Sequence, residues 1–219
     1  MITSFIFDLD GVIVFTDRYH FLGWKQLADE EGWKFDDTLN HQLRGVSRME
    51  SLQIILDHNG LDFSQQQKEE FAARKNRYYQ TLLDDISQDD VYPGAVEFVQ
   101  QVRTRGLRTA LGSSSKNADR VLKALEIDTL FDAVVTGNDL TRTKPDPQIF
   151  QLCAERLGSP PAAECVVFED AESGIAAALA AGMHAVGVGD ADQLPNAAQV
   201  IKEYSEIDLD TLIASGRIR

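Results

Sequence analysis

From residue 92 onward, short apolar runs alternate with helical stretches, and no other feature limits the fold as tightly. The runs cover 107–112, 133–136, 165–168 and 184–188. Stretches with helical spacing lie near 95–105, 117–126, 147–157 and 172–181. This alternation predicts a parallel sheet with helices on both faces. A further apolar run, Ile2 and Phe5-Ile6-Phe7, opens the chain and supplies the first strand. In open sheets of this kind, ligands bind beyond the carboxyl ends of the strands. The residues that follow each run therefore carry the functional expectation.

Between residues 15 and about 90 the pattern is helical throughout. Phe21, Trp24, Leu27 and Ala28 recur at helical spacing, with Asp17 as the expected N-cap. Ser47-Arg48-Met49-Glu50 has the form of a capping box. It opens a helix with Met49, Leu52, Ile55 and Leu56 on one face and a stop at Asn59-Gly60. Ser64 to Gln67 repeats the signal and starts a helix running to about Leu83, and Tyr92-Pro93-Gly94 breaks the helical region. The expected organisation is an α/β core from residues 1–14 and 92–219. A helical cap from residues 15–91 is inserted after the first strand and covers the strand ends.

Each strand end carries a polar cluster. Asp8 and Asp10 follow the first run, and Gly11 permits a tight turn. In extended backbone the period of two places both carboxylates on one side. With no cation beside them in sequence they repel, so they require a metal ion or a lysine from elsewhere. Mg²⁺ suits such oxygen donors and keeps positions for water and phosphate. The second cluster is Ser113-Ser114-Ser115-Lys116-Asn117, where a hydroxyl and successive N–H groups can hold an anion. Lys144 follows the next run between stiffening prolines at 145 and 147. Glu169 and Asp170 end the buried run after it, ahead of Ser173-Gly174. Alone, the Asp8–Asp10 pair reads equally well as an acidic turn, while the serine run reads better as a helix cap and Lys144 better as a solvated loop lysine; their common order at strand ends joins them.

Composition excludes several classes. Lys and Arg number 21 against 35 Asp and Glu, a net charge of −14, which disfavours nucleic acid and anionic membranes. A local cationic pocket for a small phosphorylated substrate remains compatible with that balance. Cys153 and Cys165 lie in apolar stretches without metal-ligand company, as expected of reduced thiols in a cytoplasm. No signal peptide and no transmembrane segment is expected.

The order Asp-x-Asp, Ser, Lys, acid pair resembles the four-motif pattern of the haloacid dehalogenase (HAD) superfamily of phosphotransferases, across the whole core. That resemblance implies a Rossmann-like, HAD-like sheet. His20, Phe21 and Trp24, then Gly45-Val46-Ser47-Arg48 and Arg74-Lys75-Asn76, narrow it. With Val91 to Gly94 and Ser115 to Asn117, they resemble the β-phosphoglucomutase family, from residue 5 to about residue 189.

Carried over by position, the resemblance implies Asp8 as phosphorylated nucleophile and Asp10 as acid–base. Asp8, Asp10 (through its carbonyl), Glu169 and Asp170 would hold Mg²⁺, directly or through water. Ser113 and Lys144 would hold the transferring phosphoryl group. Arg48 would hold the other phosphate beside Ser115, Lys116 and Asn117, with Trp24, Gly45, Val46 and Ser47 completing the substrate site. His20 and Lys75 would orient Asp10. The implied reaction converts β-D-glucose 1-phosphate to glucose 6-phosphate, with β-D-glucose 1,6-bisphosphate as intermediate and activator. Sugar phosphates would be the only partners of a monomer. The sequence departs from that family at Phe15, where an acid is usual, and at Ser114, where a small apolar residue is common. Three competing readings are a sugar-phosphate phosphatase on the same fold, a non-catalytic sugar-phosphate binder and a dehalogenase. The last two leave Asp10, Lys144 and the acid pair without purpose.

Overall fold

A computed structural model of the chain describes residues 1–215 and residue 217. Its strands are β1 (Ser4–Phe7), β2 (Arg108–Gly112), β3 (Ala133–Val135), β4 (Cys165–Glu169), β5 (His184–Val188) and β6 (Val200–Ile201). They form one parallel sheet in the order β3-β2-β1-β4-β5-β6. The expected α/β sheet is present, with β1 near its centre.

The centre falls to β1 because it is apolar on both faces. Phe5, Ile6 and Phe7 are all 0 % exposed. Phe5 and Phe7 join one core cluster, where Phe7 stacks on Phe168 with ring centroids 5.0 Å apart and meets Phe98 edge-on. Ile6 points the other way, into a cluster with Ala110, Phe150 and Val167. Burial of one such side chain contributes roughly 1.5–3 kcal/mol. Register then sets the site: Phe7 pairs with Leu111 on one side and Phe168 on the other. Asp8, Gly112 and Glu169 therefore leave the sheet at one level.

The helices are α1 (Asp17–Glu31), α2 (Asp37–His41), α3 (Arg48–His58), α4 (Gln65–Leu82), α5 (Ala95–Thr104), α6 (Ala118–Ala124), α7 (Gln148–Arg156), α8 (Glu172–Ala180) and α9 (Leu209–Ser215). The first four lie between β1 and α5 and share an apolar cluster of their own, with Trp24, Leu27, Leu52, Ile55 and Phe71 buried together. Both expected capping boxes form, at Ser47 with Glu50 and at Ser64 with Gln67. Gly94 enters α5 at φ +78°, a conformation open to glycine.

Three local readings differ from the sequence expectation. Asp17 is the first residue of α1 rather than its cap, because its carboxylate accepts from Arg44 (2.8 Å) and Asn40 (3.3 Å) and is not free for the helix N–H groups. The short α2 arises from Asp36, whose side chain caps Leu39 N at 2.9 Å. β6 and α9 lie beyond the last recognised run. Two residues are too few to show strand periodicity, whereas tertiary contact holds both elements: Gly189 N donates to Ile201 O (2.8 Å) and Ile2 N to Ile213 O (2.8 Å).

The segments joining the helical region to the sheet run side by side. Val14 bridges Val91, Phe15 N donates to Asp90 O at 2.7 Å, and Tyr92 N donates to Ile13 O at 2.8 Å.

Candidate active site

At the carboxyl end of the sheet, facing α1, α3 and α4, lies a cavity of about 530 Å³. Asp8, Asp10, Lys144 and Asp170 line its sheet side. His20, Trp24, Lys75 and Arg48 line its helical side, with Gly45, Val46 and Ser47 from the loop before α3. Ser115, Lys116 and Asn117 form a flank. Of the residues singled out in the sequence, Ser113 and Glu169 do not line the cavity; both are fully buried behind it.

Lys144 ties the sheet side together. Its ammonium donates to Asp8 Oδ1 at 2.5 Å and also to Glu169 Oε1. Burial alone would lower its pKa, but the two carboxylates outweigh desolvation and hold it well above the usual lysine range. The other oxygen of Glu169 accepts from Ala171 N at 2.7 Å. Glu169 thus positions the lysine, while Asp170 faces the cavity. Two glycines make room for these acids. A Cβ on Gly174 would lie 1.9 Å from Glu169 Oε1, and one on Gly11 would lie 2.2 Å from Asp170 Oδ2.

Asp10 receives the hydroxyl of Thr16, because the chain folds back and bridges Asp10 to Val14. Desolvation, then the charge of Asp8, push its carboxyl up to about 6, against the pull of the Thr16 hydrogen bond. His20 Nε2 lies 3.8 Å from Asp10 Oδ1, and His20 Nδ1 lies 2.9 Å from Lys75 Nζ. When Lys75 is an ammonium it can only donate; Nδ1 then accepts and the ring proton sits on Nε2, facing Asp10. Burial, then Lys75 and Arg48, hold His20 well below its ordinary pKa, and it is neutral near pH 7. Burial and Arg48 likewise depress Lys75, whose ammonium lies over the rings of Tyr79 (4.6 Å) and Trp24 (5.1 Å).

Ser113 accepts from Ser115 N at 3.1 Å, and Ser115 accepts from Asn117 N at 3.2 Å. These two turns curl the loop after β2 around the cavity flank. Asn117 also donates to Asn76 Oδ1 at 2.9 Å and accepts from Gln80 at 3.1 Å, joining that loop to α4.

Sequence reasoning passed over Thr16, Arg44 and Tyr79. Thr16 meets Asp10 only through the fold-back of residues 10–14. Arg44 belongs to no local motif, yet it pairs with Asp17 and its charge counters the rise in the Asp170 pKa. Tyr79 stacks on His20 with centroids 4.1 Å apart, and no local spacing announces that contact.

The haloacid dehalogenase-like hydrolase family model matches residues 2–182. The chain belongs to that family. It is similar to the β-phosphoglucomutase of Bacillus subtilis, at 41 % identity over 209 residues, covering 94 % of this chain and 92 % of that protein. A crystal structure of β-phosphoglucomutase from Clostridium difficile superposes with a TM-score of 0.90 at 38 % identity, covering 97 % of this chain and 96 % of the other. The chain is also similar to the fructose-1-phosphate phosphatase of Escherichia coli, at 35 % identity over 84 % of this chain and 94 % of that protein. The relatives thus include both mutases and phosphatases acting on sugar phosphates.

The family implies Mg²⁺. Asp8, Asp10 and Asp170 offer three cavity-lining carboxylates, and Glu169 behind them adds negative charge that the buried Lys144 offsets only in part. Burial, then Glu169 and Asp8, hold Asp170 well above the usual carboxylate range, a strain that a cation relieves. Among the described residues, no three His, Cys, Asp or Glu side chains converge as a metal cluster. Mg²⁺ does not demand one, since it binds through one or two carboxylates and completes its shell with water and phosphate. The donor set fits.

Proposed function

We propose that this enzyme isomerises β-D-glucose 1-phosphate to D-glucose 6-phosphate through a phospho-Asp8 enzyme and β-D-glucose 1,6-bisphosphate. The observation that carries the reading is one cavity with a cation at each of two ends, one buried and paired with the nucleophilic carboxylate and one a half-buried guanidinium. The Lys144–Asp8 pair lies at the sheet side and Arg48 at the helical side. A substrate with a phosphate at each end suits that arrangement, and the B. subtilis relative supports it.

Asp8 is the nucleophile. Its carboxylate oxygen attacks phosphorus of the bisphosphate and forms an acyl phosphate, while the bond from phosphorus to the sugar oxygen breaks. Asp10, poised near 6, gives its proton to the departing sugar oxygen. Glucose 6-phosphate leaves, β-D-glucose 1-phosphate enters, and Asp10 takes the proton of its 6-hydroxyl as that oxygen attacks the acyl phosphate; the bisphosphate so formed turns around and presents its 1-phosphate to Asp8. Lys144 and the Ser113 loop hold the phosphoryl oxygens. Asp8 and Asp170, with the carbonyl of Asp10 and with Glu169 behind them, would hold Mg²⁺, which supplies charge neutralisation at the phosphoryl group. Neutral His20, backed by Lys75, presents its Nε2 proton to Asp10 and orients it. Arg48 binds whichever phosphate is not reacting, since a guanidinium fork accepts either end. Residues 15–91 move as one cap against residues 1–14 and 92–219, and closure keeps water from the acyl phosphate.

A second reading is a sugar-phosphate phosphatase, in which water replaces the second sugar hydroxyl; similarity to the E. coli phosphatase favours it. Asp8→Asn tests both readings, because an amide cannot form the acyl phosphate. A folded Asp8→Asn protein should lose turnover, and retained activity would overturn the nucleophile assignment.

A further inference from the structure

Glu50 joins the start of α3 to the loop that carries Lys144. As third residue of the α3 capping box it accepts Ser47 N at 2.8 Å, which is the ordinary duty of that position. Such a carboxylate normally spends its remaining lone pairs on water. Here Thr143 Oγ1, 93 residues away, lies 2.8 Å from Oε1 and 2.9 Å from Oε2. The hydroxyl carries one proton, so it is shared between the two oxygens. Thr143 immediately precedes Lys144. One short path therefore runs from the helix turn that begins with Arg48, through Glu50 and Thr143, to Lys144 and on to Asp8.

We propose that the Glu50–Thr143 hydrogen bond is a positioning latch that fixes the separation between the Arg48 end and the Lys144–Asp8 end of the cavity. It rests on the two-ended substrate of the reading above. Glu50 is exposed and does not line the cavity, so its role is geometric. Other contacts between the helical region and the sheet loops lie elsewhere on the rim. Asn76 meets Asn117, and Arg44 reaches Gln193 at 3.3 Å. Neither touches the segments that carry both Arg48 and Lys144. Loss of the latch leaves each end able to bind its own phosphate but no longer holds both at one spacing. A two-ended substrate then suffers and a one-ended donor does not.

The test substitutes Thr143, because changing Glu50 would also break the α3 cap. Thr143→Val keeps the shape and removes the hydroxyl, and Thr143→Ser keeps the hydroxyl. The measured quantity is kcat/KM for β-D-glucose 1,6-bisphosphate, scored as phosphate leaving the sugar for either acceptor, beside kcat/KM for acetyl phosphate. Loss of one hydrogen bond lowers the bisphosphate value about three- to tenfold in Thr143→Val, mainly through KM. Thr143→Ser stays within about twofold of wild type, and acetyl phosphate is handled alike by all three. Equal behaviour of the Val and Ser variants overturns the latch. A parallel fall with acetyl phosphate also overturns it, because Thr143 would then act on Lys144 alone. Scoring loss of bisphosphate keeps the test separate from the mutase reading, since a pure phosphatase gives the same comparison with inorganic phosphate as product.

Discussion

The ring of Phe15 stacks on that of Tyr92, with centroids 4.5 Å apart and planes inclined by 29°. The two residues sit on the adjacent segments that join the helical region to the sheet. The Tyr92 hydroxyl donates onward to Lys202 O at 2.9 Å. At the position where the resemblance of the sequence leads to the expectation of an acid, this chain places an aromatic stack. Such a pair is worth about 0.5–1.5 kcal/mol. Phe15→Asp should therefore change steady-state turnover by up to about tenfold, while phosphorylation of Asp8 by acetyl phosphate proceeds as in wild type. Unchanged kinetics together with unchanged cap motion would show that the stack is incidental.

Lys144 is the cation buried between Asp8 and Glu169. Lys144→Met leaves both acids without it, and breaking a buried pair in this way costs about 3–5 kcal/mol. The variant should lose turnover and show a markedly lower midpoint in urea near pH 7. Part of the loss should return at acidic pH, where the stranded carboxyls take up protons. A midpoint equal to wild type would mean that Lys144 does not organise these acids.

Asp10 governs the pH response. Its folded pKa is raised to about 6, above its unfolded value near 3.9. Attack by the sugar on phospho-Asp8 needs the ionised form, so kcat/KM for β-D-glucose 1-phosphate should rise with pH and level off above about 6. The stability sign is the reverse. Between about 4 and 6 the folded state binds more protons than the unfolded state, so this group's contribution improves as pH falls through that window. Asp10→Asn, which imitates the protonated form, should gain stability relative to wild type as pH rises from about 4 to about 6 and hold that gain above it. A pH-independent difference between the two proteins would contradict the raised pKa.

Mg²⁺ should stabilise the folded protein in proportion to its binding. Saturating Mg²⁺ is expected to raise the Tm of wild type and to move that of Asp170→Asn little. Excess chelator should abolish turnover. An equal Tm response in both proteins would remove Asp170 from the metal site.

Arg48 separates binding of the distal phosphate from chemistry at Asp8. Arg48→Ala should cut isomerisation by about 10- to 100-fold, the effect of losing one charge-assisted contact. Hydrolysis of acetyl phosphate, which leaves the distal end empty, should change little. A joint fall of both activities would assign Arg48 a general structural role.

Much of this architecture is written locally. Phe5 to Phe7 and Cys165 to Glu169 show themselves as strands because each is a short run that the sheet buries. The Ser47 and Ser64 caps are visible because a capping box closes within four residues. Asp8, Asp10, Lys144 and Asp170 could be singled out because each follows a run, and the sheet brings all four to one cavity. What escaped depends on distant contacts. The Asp17–Arg44 pair, the Tyr79–His20 stack and the Glu50–Thr143 bond each join segments with no common local pattern. Ser113 shows a subtler limit: the motif locates the loop, but only the fold shows its hydroxyl turned to Ser115 N.

The central claim, isomerisation through phospho-Asp8, is tested most directly by ³¹P NMR of β-D-glucose 1-phosphate incubated with the enzyme, Mg²⁺ and a trace of β-D-glucose 1,6-bisphosphate. The account predicts that the glucose 6-phosphate resonance grows as the substrate resonance decays, with little inorganic phosphate. Accumulation of inorganic phosphate alone, with no glucose 6-phosphate at any time, would contradict it and establish the phosphatase reading.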